Sequence, residues 1–173
     1  KCLSIPALGA FEYGATFVNI AIAYRFKYLT SNTQKLDIIN KSIKLGNLGV
    51  YLKQTVGDRD EMPVVLHNQA LNLLYKILNS TNNDELCIEI IRITDDAISI
   101  LDKTSSVKRL GMLLIENYIA KSILNKDTKK LSNRLEKHIC ILDENESKQL
   151  LKLYKELVKV DKIPKLNFLE GKF

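Results

Sequence analysis

Few residues in this chain have the types and spacing that chemistry requires. The two histidines are His67 and His138. His138 and Cys140 stand two residues apart, which places them on different faces of a helix, whereas a zinc site needs three or four converging ligands. No metal or other cofactor is expected. Glu85, Glu89, Arg92 and Asp96 recur at steps of three and four. Carboxylates at that spacing can do acid–base work, but with an arginine among them on one helix they predict surface ion pairs. Neither a Gly-rich phosphate loop nor a supported Ser/His/Asp or Cys/His arrangement occurs. The chemistry left is recognition, and the expectation is that this is not an enzyme. Asn68 and Asn72 lie four apart, Tyr75 follows on a nearby line, and Asn117 and Lys121 are again four apart. Amides beside a lysine can hold an extended peptide's backbone and a carboxylate, so these five are the candidate binding residues. The competing reading is that they are solvated faces or hydrogen bonds between helices.

The elements that would carry them are helical. With 173 residues, 46% hydrophobic and 27% charged, the composition suits one globular domain, and 7 Gly and 3 Pro are too few for a turn-rich sandwich. From Pro63 the apolar positions Leu66, Leu73, Leu74 and Ile77 follow helical spacing, ending in the turn Asn79-Ser80-Thr81-Asn82-Asn83. Asn83 or Asp84 can cap a next helix through Ile90, Ile93, Ala97 and Leu101. Thr104-Ser105-Ser106 starts another through Leu113, Leu114 and Ile123, and Thr128 one through Leu131, Leu135 and Leu142. Asp143 to Ser147 reads as a break before a last helix carrying Leu153 and Leu157.

The first third is ambiguous. Val18, Ile20, Ile22, Tyr24, Phe26 and Tyr28 alternate with Asn19, Ala21, Ala23, Arg25 and Lys27, a period of two that suits a strand. The same stretch gives the helical set Phe17-Ile20-Tyr24-Tyr28, and no good partner strand exists, so a helix is favoured. Thr30-Ser31-Asn32 then caps a helix through Leu36, Ile39 and Leu52, with Gly46 and Gly49 as points of close packing. Small residues among large aromatics over residues 5–28 read as a closely packed helix or as an apolar docking surface around Phe11 to Tyr24. The uncharged run Tyr13 to Tyr24 is 12 residues, too short to span a bilayer, so no membrane span is expected.

A plan repeats three times. A helix ends at Leu29, Leu78 or Leu124, a polar turn follows, and a helix resumes at Leu36, Leu86 or Leu131. The result is an all-α fold of about seven antiparallel helices: three helical hairpins plus a C-terminal capping helix, as a solenoid-like array or a compact bundle. The domain is drawn over 1–160, with 161–173 as a C-terminal tail. Over residues 17–160 this plan resembles tetratricopeptide-like helical-hairpin repeat proteins, without their Gly, Ala and Pro signature. That resemblance implies a protein or peptide partner held on a concave face. Arg134 to His138 resembles the Arg–His pair of helical nucleases of the HEPN type at a shorter spacing, an exposed pair that is more often only solvated.

Charge is uneven. Residues 1–57 hold 7 basic and 2 acidic side chains, residues 58–102 hold 3 and 9, and residues 121–173 hold 13 and 8. These blocks suit pairing within the fold or across a homo-oligomer. The expected function is a protein–protein or peptide interaction module, serving as adaptor, regulator or assembly subunit. The alternative is nucleic-acid binding through the Lys-rich ends. Three widely spaced cysteines (Cys2, Cys87, Cys140) form no disulfide framework and predict a reducing, cytoplasmic compartment.

Overall fold

The computed structural model describes residues 7–31, 36–81, 83–102, 107–138 and 144–159. Among them the chain is helical with no strand: α1 (Ala7–Thr30), α2 (Leu36–Thr55), α3 (Met62–Leu78), α4 (Asp84–Leu101), α5 (Val107–Ile123), α6 (Lys129–His138) and α7 (Glu144–Lys159). The alternating stretch 18–28 lies inside α1 and not in a strand. Its alternation arises because apolar side chains fill both the packed face and the flanks of that helix, leaving a narrow polar line at Glu12, Thr16, Asn19 and Lys27. No helix among the described residues is long and apolar enough to cross a membrane.

Local chemistry sets the helix ends. At the end of α2, Gly57 takes φ +69°, its N–H donates to Gln54 O, and the Asp58 N–H donates to Lys53 O. That pair of bonds satisfies carbonyls the helix leaves open, and glycine adopts the left-handed turn without a Cβ clash. Asn125 does the same after α5 at φ 53°, with Lys126 N–H to Lys121 O and Asn125 N–H to Ser122 O. Pro63 sits in the first turn of α3, where no N–H is needed. Asn83 occupies the cap position of α4, but its side chain makes no capping bond. The expected break over Asp143 to Ser147 is helix from Glu144 onward. The expected caps Asn32 and Thr104 to Ser106, the expected end of α6 at Leu142, and the tail 161–173 lie outside the described residues.

The chain divides into two compact units, residues 1–72 and 73–173, with the division inside α3. In the first, α1 and α2 form an antiparallel hairpin. The buried stripe of α1 is Ala10, Gly14, Val18, Ala21, Arg25 and Tyr28, at steps of three and four. Facing residues on α2 are equally small. A Cβ on Gly49 would lie 2.6 Å from Val18 Cγ2 and 3.1 Å from Gly14 O, and Ser42 Oγ donates to Ala21 O at 2.6 Å. The backbones therefore approach more closely than side chains would permit.

In the second unit α5 packs on α4, α6 and α7 and is buried on every side from Leu110 to Ala120. Its core is aliphatic: Ile90 and Ile93 on α4, Leu113, Leu114 and Ile119 on α5, Leu135 on α6, and Leu153 and Leu157 on α7. Of the residues whose spacing predicts a core, Leu66, Leu73, Leu74, Ile77, Ile90, Ile93, Leu113, Leu114, Leu135, Leu153 and Leu157 are buried, and Leu131 is half-buried in the first turn of the short helix α6.

Candidate docking surface on the first helix

Polar side chains in the first unit are turned inward and joined. Gln69 of α3 fits the notch left by Gly46, where an added Cβ would collide with its Oε1. From there Gln69 Nε2 donates to Ile43 O at 3.2 Å and Asn47 Oδ1 at 2.6 Å, and its Oε1 accepts from Asn72 Nδ2 at 3.3 Å. Asn72 Oδ1 accepts from Arg25 Nη1 at 2.9 Å. Arg25 also donates to Asn68, through Nη1 to the carbonyl at 3.1 Å and Nη2 to Oδ1 at 3.0 Å. The network ties α1, α2 and α3, with Arg25, Gln69 and Asn72 all buried.

The expected binding residues are thus placed as follows. Asn68 is half-buried and Asn72 is buried, and the structure brings the two together on Arg25. Tyr75 is buried in the next turn of α3. Asn117 on α5 is fully buried, donating through Nδ2 to Thr94 Oγ1 at 2.7 Å and Asp95 Oδ1 at 2.8 Å. Lys121 stands 3.9 Å from Asp95 and joins Asn117 there. Asn72 and Asn117 therefore serve as hydrogen-bond links between helices, which leaves their amides no open face toward a peptide.

A second cluster was not legible in the sequence. Lys53 is fully buried, with Nζ 2.8 Å from Asp58 Oδ2, 2.5 Å from Glu61 Oε2 and 3.6 Å from the ring centre of Phe11. Burial disfavours the ammonium, but hydrogen bonds and charge from Asp58 and Glu61 outweigh it and raise the Lys53 pKa. Burial likewise opposes the Asp58 carboxylate, yet the bond from Lys53 and the backbone N–H groups of Glu61 and Asp60 hold its pKa below the ordinary value. The cluster closes the α2–α3 turn and seats one face of Phe11 on a cation.

The residues of possible catalytic type are occupied elsewhere. Arg92 forms a forked pair with Glu89 and reaches Asp96 at 3.4 Å on the exposed face of α4, with its pKa raised by the Glu89 bond. Arg134 pairs with Asp102, and His138 Nδ1 bonds the Arg134 carbonyl one turn back at 2.8 Å. Among the described residues no group of three His, Cys, Asp or Glu could hold a metal.

The outermost line of α1 is polar at Glu12, Thr16, Asn19 and Lys27, and apolar side chains occupy the flank on either side of it. Tyr13, Phe17, Ile20 and Tyr24 line one flank at offsets of four, three and four, and Phe11, Ala15, Ile22 and Phe26 line the other. Phe11 is 42% exposed, Tyr13 55%, Ile20 38% and Phe26 45%. On α2, Leu36, Leu48 and Tyr51 are exposed as well. No protein-family model matches the chain, and no curated protein or solved structure is similar to it.

Proposed function

We propose that this chain is a non-catalytic protein–protein interaction module, acting as adaptor, regulator or assembly subunit, which docks an amphipathic helix of a partner on the flank of α1 lined by Tyr13, Phe17, Ile20 and Tyr24. The observation that carries this reading is the exposure of Tyr13 and Ile20, with half-buried Phe17 and Tyr24, along one flank of α1. Clustered exposed apolar side chains mark interaction sites. The offsets of Tyr13, Phe17, Ile20 and Tyr24 are those of a seam into which a facing helix sets its own apolar side chains. The hairpin plan, similar to that of tetratricopeptide-like proteins, fits the same role, because such scaffolds hold partner helices.

The test is affinity capture from the native source with mass spectrometry, comparing the parent with Tyr13→Ser/Ile20→Ser/Phe26→Ser. The expected result is a stoichiometric partner retained by the parent and lost by the folded variant, with direct binding reproduced by the purified partner. Equal retention by both chains contradicts the reading. Loss only with Asn68→Ala/Lys121→Ala would move the site to the amide and lysine face. Turnover of a small molecule, or cutting of RNA abolished by His138→Ala, would replace it with an enzyme.

A further inference from the structure

The last two helices and the turn before them carry the largest group of exposed lysines, beside the scattered Lys27, Lys41, Lys44, Arg59 and Arg109 earlier in the chain. Lys53, Arg92, Lys121 and Arg134 each meet a carboxylate. By contrast, the ammonium groups of Lys126, Lys129, Lys130, Lys137, Lys152, Lys155 and Lys159 are exposed and meet none among the described residues. On α7, Lys152, Lys155 and Lys159 continue a line begun by exposed Lys148, at offsets of four, three and four. Those offsets stay on one face of a helix, so the line runs about 16 Å along the axis. On α6, Lys130 and Lys137 share a face two turns apart with Lys129 beside it, and Lys126 lies in the turn before. Both helices pack on α5, which holds them as rigid carriers. Among the side chains described on this stretch the exposed carboxylates are Asp127, Glu136 and Glu156, fewer than the exposed lysines.

We propose that these lysines bind the phosphate backbone of duplex nucleic acid without reading its sequence. A duplex presents about one negative charge per 1.7 Å, and neutralising it releases condensed counterions, a gain that rewards several uncompensated cations on a rigid line. Lysine is a compact point charge that meets phosphate but does not fork onto base edges as arginine does. Tyr154, the aromatic of α7, is buried, so the face has no ring on which a single-stranded base could stack. A lipid surface fits less well. The apolar face of α7 is buried at Leu153, Tyr154 and Leu157, and the exposed large apolar residues lie on α1, α2 and α4. Among its described residues the helix exposes Lys148, Lys152, Lys155, Glu156 and Lys159 and no large apolar side chain to insert between headgroups.

Fluorescence anisotropy of a labelled mixed-sequence duplex of about 20 base pairs tests this at about 50 and about 200 mM salt. The parent should bind at low salt and lose affinity steeply at the higher concentration. Lys152→Gln/Lys155→Gln/Lys159→Gln should keep the parent's helical circular dichroism, bind at least about tenfold more weakly, and lower the log–log salt slope by about three. The matching triple Lys→Arg variant should bind as the parent does, and Tyr13→Ser/Ile20→Ser/Phe26→Ser should be unaffected. No binding at low salt overturns the proposal, as does a salt-independent affinity or an unchanged affinity in the glutamine variant. Retention of phosphatidylserine-containing vesicles or of polyglutamate in preference to the duplex overturns it too.

Discussion

The α1–α2 pair and the α4–α5 pair solve the same packing problem with opposite materials. Along the middle of the α1–α2 pair the buried residues are small, Ala10, Gly14, Val18 and Ala21 against Ser42, Gly46 and Gly49, with Tyr28, Ile38, Ile39 and Leu52 buried toward the ends. Between α4 and α5 they include Ile90, Ile93, Leu113 and Leu114. Small residues let two backbones touch but remove little apolar area from water, and the network through Arg25, Asn72 and Gln69 supplies specific links there. The second arrangement spends its large side chains inside. The first leaves Phe11, Tyr13, Ile20 and Phe26 of α1 exposed, whereas α6 and α7 display lysines. The two units thus differ in which side chains they display.

The contrast can be broken from either side, beginning with the largest effect. Leu114→Ala in the second unit empties a site with no exposed surface and should cost ~2–5 kcal/mol by urea unfolding. In the first unit Asn72→Ala should cost ~1.5–3 kcal/mol, because a buried guanidinium loses an acceptor and Gln69 loses a donor. Gly49→Ala should cost ~1–3 kcal/mol by adding bulk where Leu114→Ala fails by removing it. Adding Val18→Ala should recover much of that loss, since Val18 Cγ2 is the nearest atom to the new methyl.

Much of this contrast could be read before the structure. The apolar steps of α3 to α7 placed nearly the whole aliphatic core, and Gly46 and Gly49 were recognisable as close-packing points. Gly46 was more than that: its missing side chain makes room for Gln69, a contact between distant segments. Lys53 and Arg25 could not have been placed inside, because cations of their type are seldom buried and nothing local marks them as paired. Asn72 and Asn117 resemble solvated amides in sequence, and only the facing helix shows where their hydrogen bonds go. The exposed side of α1 was half-legible, since an apolar period of two and a helical period overlap there.

The Lys53 cluster adds a pH dependence peculiar to the first unit. Asp58 has a folded pKa depressed from the ordinary 3.8, so its contribution is present above that value and is lost as pH falls through the folded value. Lys53 has a folded pKa raised from 10.5, so its contribution is present below 10.5 and lost as pH rises through the folded value. Stability from the pair should therefore be full between these limits and fade outside both. Asp58→Asn should flatten the acid limb of a Tm-against-pH curve, and Arg92→Gln, on an exposed pair, should leave it nearly unchanged.

The most direct test of the idea that large side chains of α1 are surplus to its packing is the urea unfolding free energy of Tyr13→Ser/Ile20→Ser/Phe26→Ser. Side chains that serve only a partner can be removed with a change within about 0.5 kcal/mol per site, and the variant should match the parent or exceed it slightly. A loss of several kcal/mol, on the scale of Leu114→Ala, would show that these residues hold the hairpin together, and the division between interior and docking surface would fall with it.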